Sequence, residues 1–396
     1  MKDIISAVKG FEASGASAGL RKGDEPDVAL ILSRKEAVAA GVFTLNKVAA
    51  APVVVSREHV ANGEARAILA NAGYANACTG DAGLSAARRS AEVAAGELDL
   101  RPDEVLLAST GVIGQLLDVE LISKALPGLA ASLSPEGLPS AARAIMTTDS
   151  FPKISAFEGN AGGKPYRIVG IAKGAGMIMP HMATMLSFVV SDIRIDAVDL
   201  NGALLSSVEA TFNRISVDGD TSTNDTVLAL ANGMADNRAL SEKELRAFTQ
   251  GLREVTGALA GMIVQDGEGA TRVFQVRVRG AADALDAERA ARTVANSSLV
   301  KTAVYGRDAN WGRIMAALGR SGVVMDETLV DIWIDEVQIV AGGLGMGAPA
   351  EEAATERMGG KKFVLTVDLH KGDYADAILT CDLTHEYVTI NADYRT

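Results

Sequence analysis

A chain of 396 residues, 48% hydrophobic and 22% charged, is too apolar to be disordered and long enough for two or three domains. Its net charge of −12, from 50 acidic and 38 basic residues, argues against nucleic acid or an anionic membrane as the main partner. Two cysteines exclude a disulfide framework and suit the cytoplasm, and no secretory signal is read in 1–15, where Lys2, Asp3, Lys9 and Glu12 interrupt the apolar residues.

In chain order, the apolar run 28–32 predicts a buried strand, and the Ala-rich stretches 57–70 and 84–98 read as helices. A short strand over 104–108 runs into Ser109-Thr110-Gly111. Another, 166–172, leads into Lys173-Gly174-Ala175-Gly176, and a third, 185–190, follows Ala183 and Thr184. The uncharged run 174–191 approaches the length of a membrane span, but Pro180, His181, Ser187 and its early glycines make it interior rather than transmembrane. An amphipathic helix is expected over 196–212. Ser241 and Glu244 form a capping box that opens another, with Leu245, Phe248, Leu252, Val255, Leu259 and Met262 at helical spacing. From about residue 281 the texture changes to a helix at 286–296, strands at 329–334, 337–340, 363–367 and 387–391, and a Gly-rich turn at 342–347. The alternation predicts a layered α/β or α+β architecture with a domain boundary near residue 280.

Three motifs are set aside. Gly343-Leu344-Gly345-Met346-Gly347-Ala348 loosely fits a dinucleotide fingerprint, but the stretch after it is short for a crossover helix and carries Glu351 and Glu352, which would repel a pyrophosphate, so a plain strand–turn connection is expected. The run from Asp218 to Asp225 starts like a calcium loop, yet has Thr223 and Ala229 where such a loop needs Gly and Glu. His59, His181, His370 and His385 show no metal-ligand spacing, so no metal is expected.

Thr184 carries more. A threonine hydroxyl is a weak nucleophile that needs a base. If the chain were cut before Thr184, its freed α-amine, with a pKa of about 8, would supply that base on the same residue. By spacing alone Thr184 reads more readily as a β-branched strand residue. Thr110 and Gly111 offer a hydroxyl and an N–H for an oxyanion, or else a helix cap. Lys173 is either a carboxylate-binding group or a surface lysine.

Taken together, the chain resembles the ornithine acetyltransferase (glutamate N-acetyltransferase) family of arginine biosynthesis over essentially its whole length. The resemblance rests on Gly41-Val42-Phe43-Thr44, Asn76-Ala77-Cys78-Thr79-Gly80, Ser109-Thr110-Gly111-Val112-Ile113-Gly114, Met146-Thr147-Thr148-Asp149 and the segment 173–186. It continues through Val217-Asp218-Gly219-Asp220-Thr221-Ser222-Thr223-Asn224-Asp225-Thr226, the segment 266–272, Gly306-Arg307-Asp308-Ala309-Asn310-Trp311-Gly312-Arg313-Ile314 and the terminal 390–396. It implies an N-terminal-nucleophile-like α/β core over 1–280 and a smaller C-terminal α+β domain over 281–396, whose tail returns to the active site. It also implies self-cleavage between Ala183 and Thr184 into an α chain (1–183) and a β chain (184–396) that assemble as α2β2. Thr184 is then the nucleophile with its α-amine as base, Thr110 and Gly111 the oxyanion hole, and Thr147, Lys173, Thr184, Glu268, Asn391 and Thr396 the substrate-binding set. The implied reaction carries acetyl from N-acetylornithine to glutamate through an acetyl-Thr184 ester. No cofactor is implied, and acetyl-CoA stays open as a second donor. The alternative reading is an aminopeptidase or amidase of the same catalytic style. Ala72, Tyr74 and His181 depart from the family pattern without touching a residue given a role.

Overall fold

The computed structural model describes residues 8–179 and 185–393. It divides into two compact units: the first runs to Asn213 and resumes over Asp220–Ile263, and the second comprises Arg214–Gly219 and the chain from Val264.

The first unit is built on two sheets. One has the order β1 (Phe11–Ala16), β2 (Val28–Ser33), β4 (Ala67–Tyr74), β5 (Val105–Val112). The other has the order β3 (Val38–Phe43), β10 (Thr226–Ala231), β8 (Leu186–Ser191), β7 (Lys164–Lys173), β6 (Lys153–Ala161). Strand parity shows how they stack. Ala29, Ile31, Ile68, Ala70, Leu106 and Ala108 of the first sheet share one core with Val169, Ile171, Phe188, Val190, Leu228 and Leu230 of the second. The alternate residues Val28, Leu30, Leu69, Val105 and Leu107 pack instead with Ala87, Ala91, Ile122 and Leu126 of helices α2 (Gly80–Leu98) and α3 (Val119–Ala131). Both faces of these strands are buried, so they read as continuous apolar runs without alternation.

On the far side of the second sheet, α5 (Ala197–Ala210) lies beside β3 and β10. Helix α6 (Glu242–Gln265) packs so closely that a Cβ on Gly170 would come within 2.8 Å of Val255 and 2.9 Å of Leu259. The unit is thus four layers, helix–sheet–sheet–helix, and the layered α/β expectation is met. Two further helices, α1 (Ala51–His59) and α4 (Leu138–Ala144), add Val53, Leu138 and Ala141 to the core between the sheets.

The second unit holds a seven-stranded sheet in the order β14 (Leu344–Gly345), β13 (Val337–Ala341), β12 (Asp331–Ile334), β15 (Lys362–Asp368), β11 (Val273–Ala281), β16 (Tyr374–Cys381), β9 (Ile215–Ser216). Phe274, Val276, Val278, Phe363, Leu365 and Val367 face a core with α7 (Ala284–Ala295), α8 (Ser298–Gly306), α9 (Trp311–Gly319) and α10 (Ala348–Met358). Arg277, by contrast, is exposed, so here the strands do alternate. The expected boundary near residue 280 falls inside β11, which is hydrogen-bonded to both β15 and β16. A division there would cut the sheet through an interior strand.

Three local expectations are corrected. The helix expected over 57–70 ends at α1; Gly63 turns with φ +78° and Ala67 begins β4, because burial in the sheet outweighs alanine's helix propensity. The strand expected over 387–391 is helix α11 (His385–Asp393), whose Tyr387 N–H donates to the Thr384 hydroxyl at 3.3 Å, an N-terminal cap that outweighs the β-branched residues. The Gly-rich turn at 342–347 closes the β13–β14 hairpin, and α10 follows it where a plain connection to the next strand was expected, its first turn carrying Pro349. Among the described residues no helix is long and apolar enough to cross a membrane.

Candidate functional site

Thr110 and Gly111 lie within β5 itself, which extends to Val112, rather than on a turn beyond the strand. β5 runs parallel to β4 with Thr110 opposite Ala72 and Gly111 opposite Gly73. The chains approach so closely that only glycine fits. Gly111 has φ +131°, and a Cβ there would sit 2.2 Å from the Gly73 carbonyl carbon. Gly111→Ala is expected to force the two strands apart at a cost of about 1–3 kcal/mol, visible as a melting temperature lowered by several degrees. An unchanged melting curve would show that the strand ends can spread freely.

Lys173, the last residue of β7, sits opposite Leu186 of β8. It is only 5% exposed, so the surface-lysine alternative is wrong. Its Nζ donates to Thr110 Oγ1 at 3.2 Å. A hydroxyl that accepts from an ammonium must turn its own hydrogen elsewhere, which makes Thr110 a polarised donor.

Behind this pair stands a carboxylate to which no role was assigned by motif. Asp149 Oδ1 accepts from Lys153 Nζ at 2.6 Å and from the Gly174 N–H at 2.7 Å, while Oδ2 accepts from the Thr147 N–H at 3.0 Å. Burial alone would raise the Asp149 carboxyl, but Lys173, Lys153 and the Gly174 N–H outweigh it and hold it below its ordinary range. Asp149 therefore fixes the backbone at both Thr147 and Gly174. Arg21 braces the same turn by donating to the Met146 carbonyl at 2.8 Å.

The polar run before β10, rejected as a calcium loop, is a buried strap. Thr44 Oγ1 donates to the Ser222 carbonyl at 2.8 Å. Asn224 Nδ2 donates to the carbonyls of Ala75 and Ser109 at 2.7 and 2.8 Å, tying the ends of β4 and β5. Asp225 Oδ1 accepts the Met185 N–H at 2.9 Å. Burial pushes the Asp225 carboxyl well above the usual carboxylate range, against the opposing pull of the Met185 N–H and Lys173.

In the second unit, Glu268 and Asn391 meet: Asn391 Nδ2 donates to Glu268 Oε2 at 2.8 Å and to the Tyr387 carbonyl at 3.0 Å. The expected strand end at Asn391 is the last turn of α11. Thr384 Oγ1 donates to the Gly269 carbonyl at 2.8 Å, which docks the segment carrying Glu268 against the start of that helix. Ala183, Thr184 and Thr396, and also His181, lie outside the described residues. No group of three His, Cys, Asp or Glu side chains suited to a metal occurs among the described residues.

Arg21, Asp149, Lys153, Asn224 and Asp225 are the residues sequence reasoning passed over. The signal available was polarity beside apolar strands: Asp149 lies four residues before Lys153, and Asn224 and Asp225 directly precede the run 226–231.

The first unit is thus a layered α/β unit with an ammonium-polarised hydroxyl at a strand end, beside the strand that follows Thr184 in the chain. The ArgJ family matches residues 12–396, and the chain belongs to that family. The arginine biosynthesis bifunctional protein ArgJ of Geobacter sulfurreducens is 49% identical over 391 residues, which cover 98% of this chain and 100% of that one. Among solved structures, the arginine biosynthesis bifunctional protein argJ from Bacillus halodurans is 43% identical with a TM-score of 0.51, the whole of that chain matching 53% of this one. Ornithine acetyltransferase from Mycobacterium tuberculosis, complexed with ornithine, is 33% identical with a TM-score of 0.40, over 46% of this chain and 95% of that one.

Proposed function

We propose that this protein is a self-processing acetyltransferase that moves acetyl from N2-acetyl-L-ornithine to L-glutamate in arginine biosynthesis, on an N-terminal-nucleophile-like core. The observation that carries the reading is the Lys173–Thr110 pair. Lys173 is in register with Leu186, two residues beyond Thr184, so the polarised hydroxyl stands at the start of the strand that Thr184 precedes. Membership of the ArgJ family and the relative matched end to end support the pathway.

In the forward half-reaction the Thr184 α-amine takes the Oγ proton and Oγ attacks the acetyl carbonyl. The Thr110 O–H and Gly111 N–H hold the oxyanion. The C–N bond breaks, the proton passes to the departing amine of ornithine, and acetyl remains as an ester on Thr184. The glutamate amine then attacks that ester, its proton returns to Oγ, and N-acetylglutamate leaves. Lys173 suits the α-carboxylate common to both substrates. Thr147, Glu268, Asn391 and Thr396 complete the proposed binding set, with Glu268 suited to the ornithine side-chain ammonium.

Processing uses the same hydroxyl. Oγ of Thr184 attacks the Ala183 carbonyl, the acyl group shifts from nitrogen to oxygen, and water hydrolyses the ester to leave 1–183 and 184–396. The length of the Bacillus halodurans chain, matching 53% of this one, supports a product of that size. We extend the reading to an α2β2 assembly in the cytoplasm, which free Cys78 and Cys381 suit. The word bifunctional in the relatives' names favours acetyl-CoA as a second donor. The hydrolase alternative has no observation in its favour.

The test is the intact mass of the denatured protein before and after brief exposure to N-acetylornithine. Two pieces divided between Ala183 and Thr184, with one acetyl group added to the second, are expected; a single unmodified chain overturns the mechanism. Thr110→Ala is expected to lower kcat by about 10²-fold with KM nearly unchanged, the scale for losing one oxyanion donor. Full turnover in that variant would remove Thr110 from the chemistry.

A further inference from the structure

The Thr110–Lys173 hydrogen bond crosses between the two sheets of the first unit, since Thr110 stands on β5 and Lys173 on β7. The sheets are held together by apolar contact, through residues such as Ile68, Leu106, Val169 and Phe188. Apolar contact is non-directional, so it does not fix where one polar strand end meets another. A directional tie lies beside the pair, and it is Asn224. This residue is buried on the strap that enters β10 of the second sheet. Its Nδ2 donates across to the first sheet, to the Ala75 carbonyl just past β4 and the Ser109 carbonyl on β5, at 2.7 and 2.8 Å. Its Oδ1 accepts from the Thr223 hydroxyl at 2.6 Å. The amide is fully used and fits one way round, because turned over its oxygen would face two carbonyl oxygens.

The strap that carries this amide is itself anchored. The Asn224 N–H donates to Ser222 Oγ at 3.0 Å, and the Thr223 carbonyl accepts the Ala50 N–H at 2.9 Å. On the other side, the Ser109 carbonyl belongs to the peptide bond that leads into Thr110, and the Ser109 hydroxyl donates to Asn71 Oδ1 at 2.6 Å. The β4–β5 ladder runs on to Tyr74 and Val112 through its own backbone, so strand pairing does not require Asn224. We infer that Asn224 is a positioning residue for Thr110: by joining the strap of one sheet to the peptide before Thr110 on the other, it sets the spacing at which Lys173 reaches the Thr110 hydroxyl. This rests on the reading of Thr110 as an oxyanion donor. Asn224 acts through Thr110 and needs no contact with substrate.

The experiment measures acetyl transfer from N-acetylornithine to glutamate by wild type, Asn224→Ala, Thr110→Ala and the double variant, each as the full chain. Rates are referred to the fraction cut between Ala183 and Thr184, read by intact mass. Asn224→Ala leaves room for water to donate to both carbonyls, so the fold is expected to stand. That water is not attached to the strap, and the tie is lost. The kcat of Asn224→Ala is expected to fall by about tenfold with KM nearly unchanged, as a slightly misplaced group does. In the Thr110→Ala background the same substitution should cost less than about threefold, because the hydroxyl that Asn224 positions is already gone. A role in stability alone would move the melting curve without that coupling. A folded Asn224→Ala with the kcat of wild type overturns the inference, and so does a double variant whose loss is the product of the two single losses. If Asn224→Ala does not fold or is not cut, Thr223→Val, which removes the hydroxyl that holds the Asn224 amide, takes its place in the same cycle and is judged by the same outcomes. An uncut wild type, or a Thr110→Ala protein with full turnover, overturns the reading of the site and this inference with it. A slow Thr110→Ala beside an indifferent Asn224→Ala overturns this inference only.

Discussion

Thr184→Ala is expected to yield one uncut chain of 396 residues and to lower acetyl transfer by on the order of 10⁶, the scale at which losing an attacking hydroxyl silences an acyl-transfer site. Under the proposed mechanism the two losses arrive together because one atom serves both steps. Without Oγ there is no attack on the Ala183 carbonyl, hence no free α-amine at residue 184, hence neither nucleophile nor base for the acetyl group. Thr184→Ser retains a hydroxyl and is expected to process and turn over, more slowly, since serine lacks the methyl that restricts χ1 in threonine. Gel or mass analysis reads the cut, and a coupled assay of N-acetylglutamate reads the transfer. The folded state should be nearly indifferent, because the core between the two sheets is assembled from residues such as Ile31, Ile68, Val169 and Phe188. Turnover by an intact Thr184→Ala chain would assign the chemistry to another group.

Where one force dominated, the sequence could be read directly. The run 28–32 had to be a strand buried on both faces, and the capping box at Ser241 and Glu244 opened a helix as expected. Thr110 and Lys173 could be singled out by motif, and the structure brings them within hydrogen-bonding distance. What stayed hidden depended on distant partners. The stretch 57–70 is helical by composition, yet Ala67–Tyr74 is a strand because β2 and β5 pair with it on both sides. Asn391 reads as a strand residue from its β-branched neighbours, whereas the helix is set by the cap at Thr384, outside that pattern. Asn224 is buried only because carbonyls 149 and 115 residues away, on Ala75 and Ser109, come to meet its amide. No local pattern carries such a separation. For the same reason Lys173 could not be told from a surface lysine until Asp149 and Thr110 stood beside it.

The largest expected effect on stability belongs to Asp149. Its side chain and that of Lys153 are both fully buried and joined at 2.6 Å. Asp149→Ala removes the carboxylate paired with the Lys153 ammonium, for which the Phe151 carbonyl at 3.5 Å and ring at 4.9 Å are neutral and weaker substitutes, and frees two backbone N–H groups. Breaking a buried pair from one side costs about 3–5 kcal/mol; in a unit of this size that lowers the melting temperature by roughly 10 °C. The pH dependence has a definite sign. Because the folded Asp149 carboxyl titrates below its ordinary value, its stabilisation is fully present above the unfolded carboxylate range, near pH 4. It is lost as the pH falls through the lower folded value. The stability gap between wild type and Asp149→Asn should therefore be flat from about pH 5 upward and close on acidification. A gap that instead widened toward acid pH would contradict the assignment. A double variant, Asp149→Leu with Lys153→Met, separates the two tasks of the carboxylate. Removing both charges should restore much of the lost stability, as apolar replacements of buried pairs do. Turnover should stay low, because no oxygen then holds the N–H groups of Thr147 and Gly174. Recovery of both properties would mean that the pair serves the fold alone.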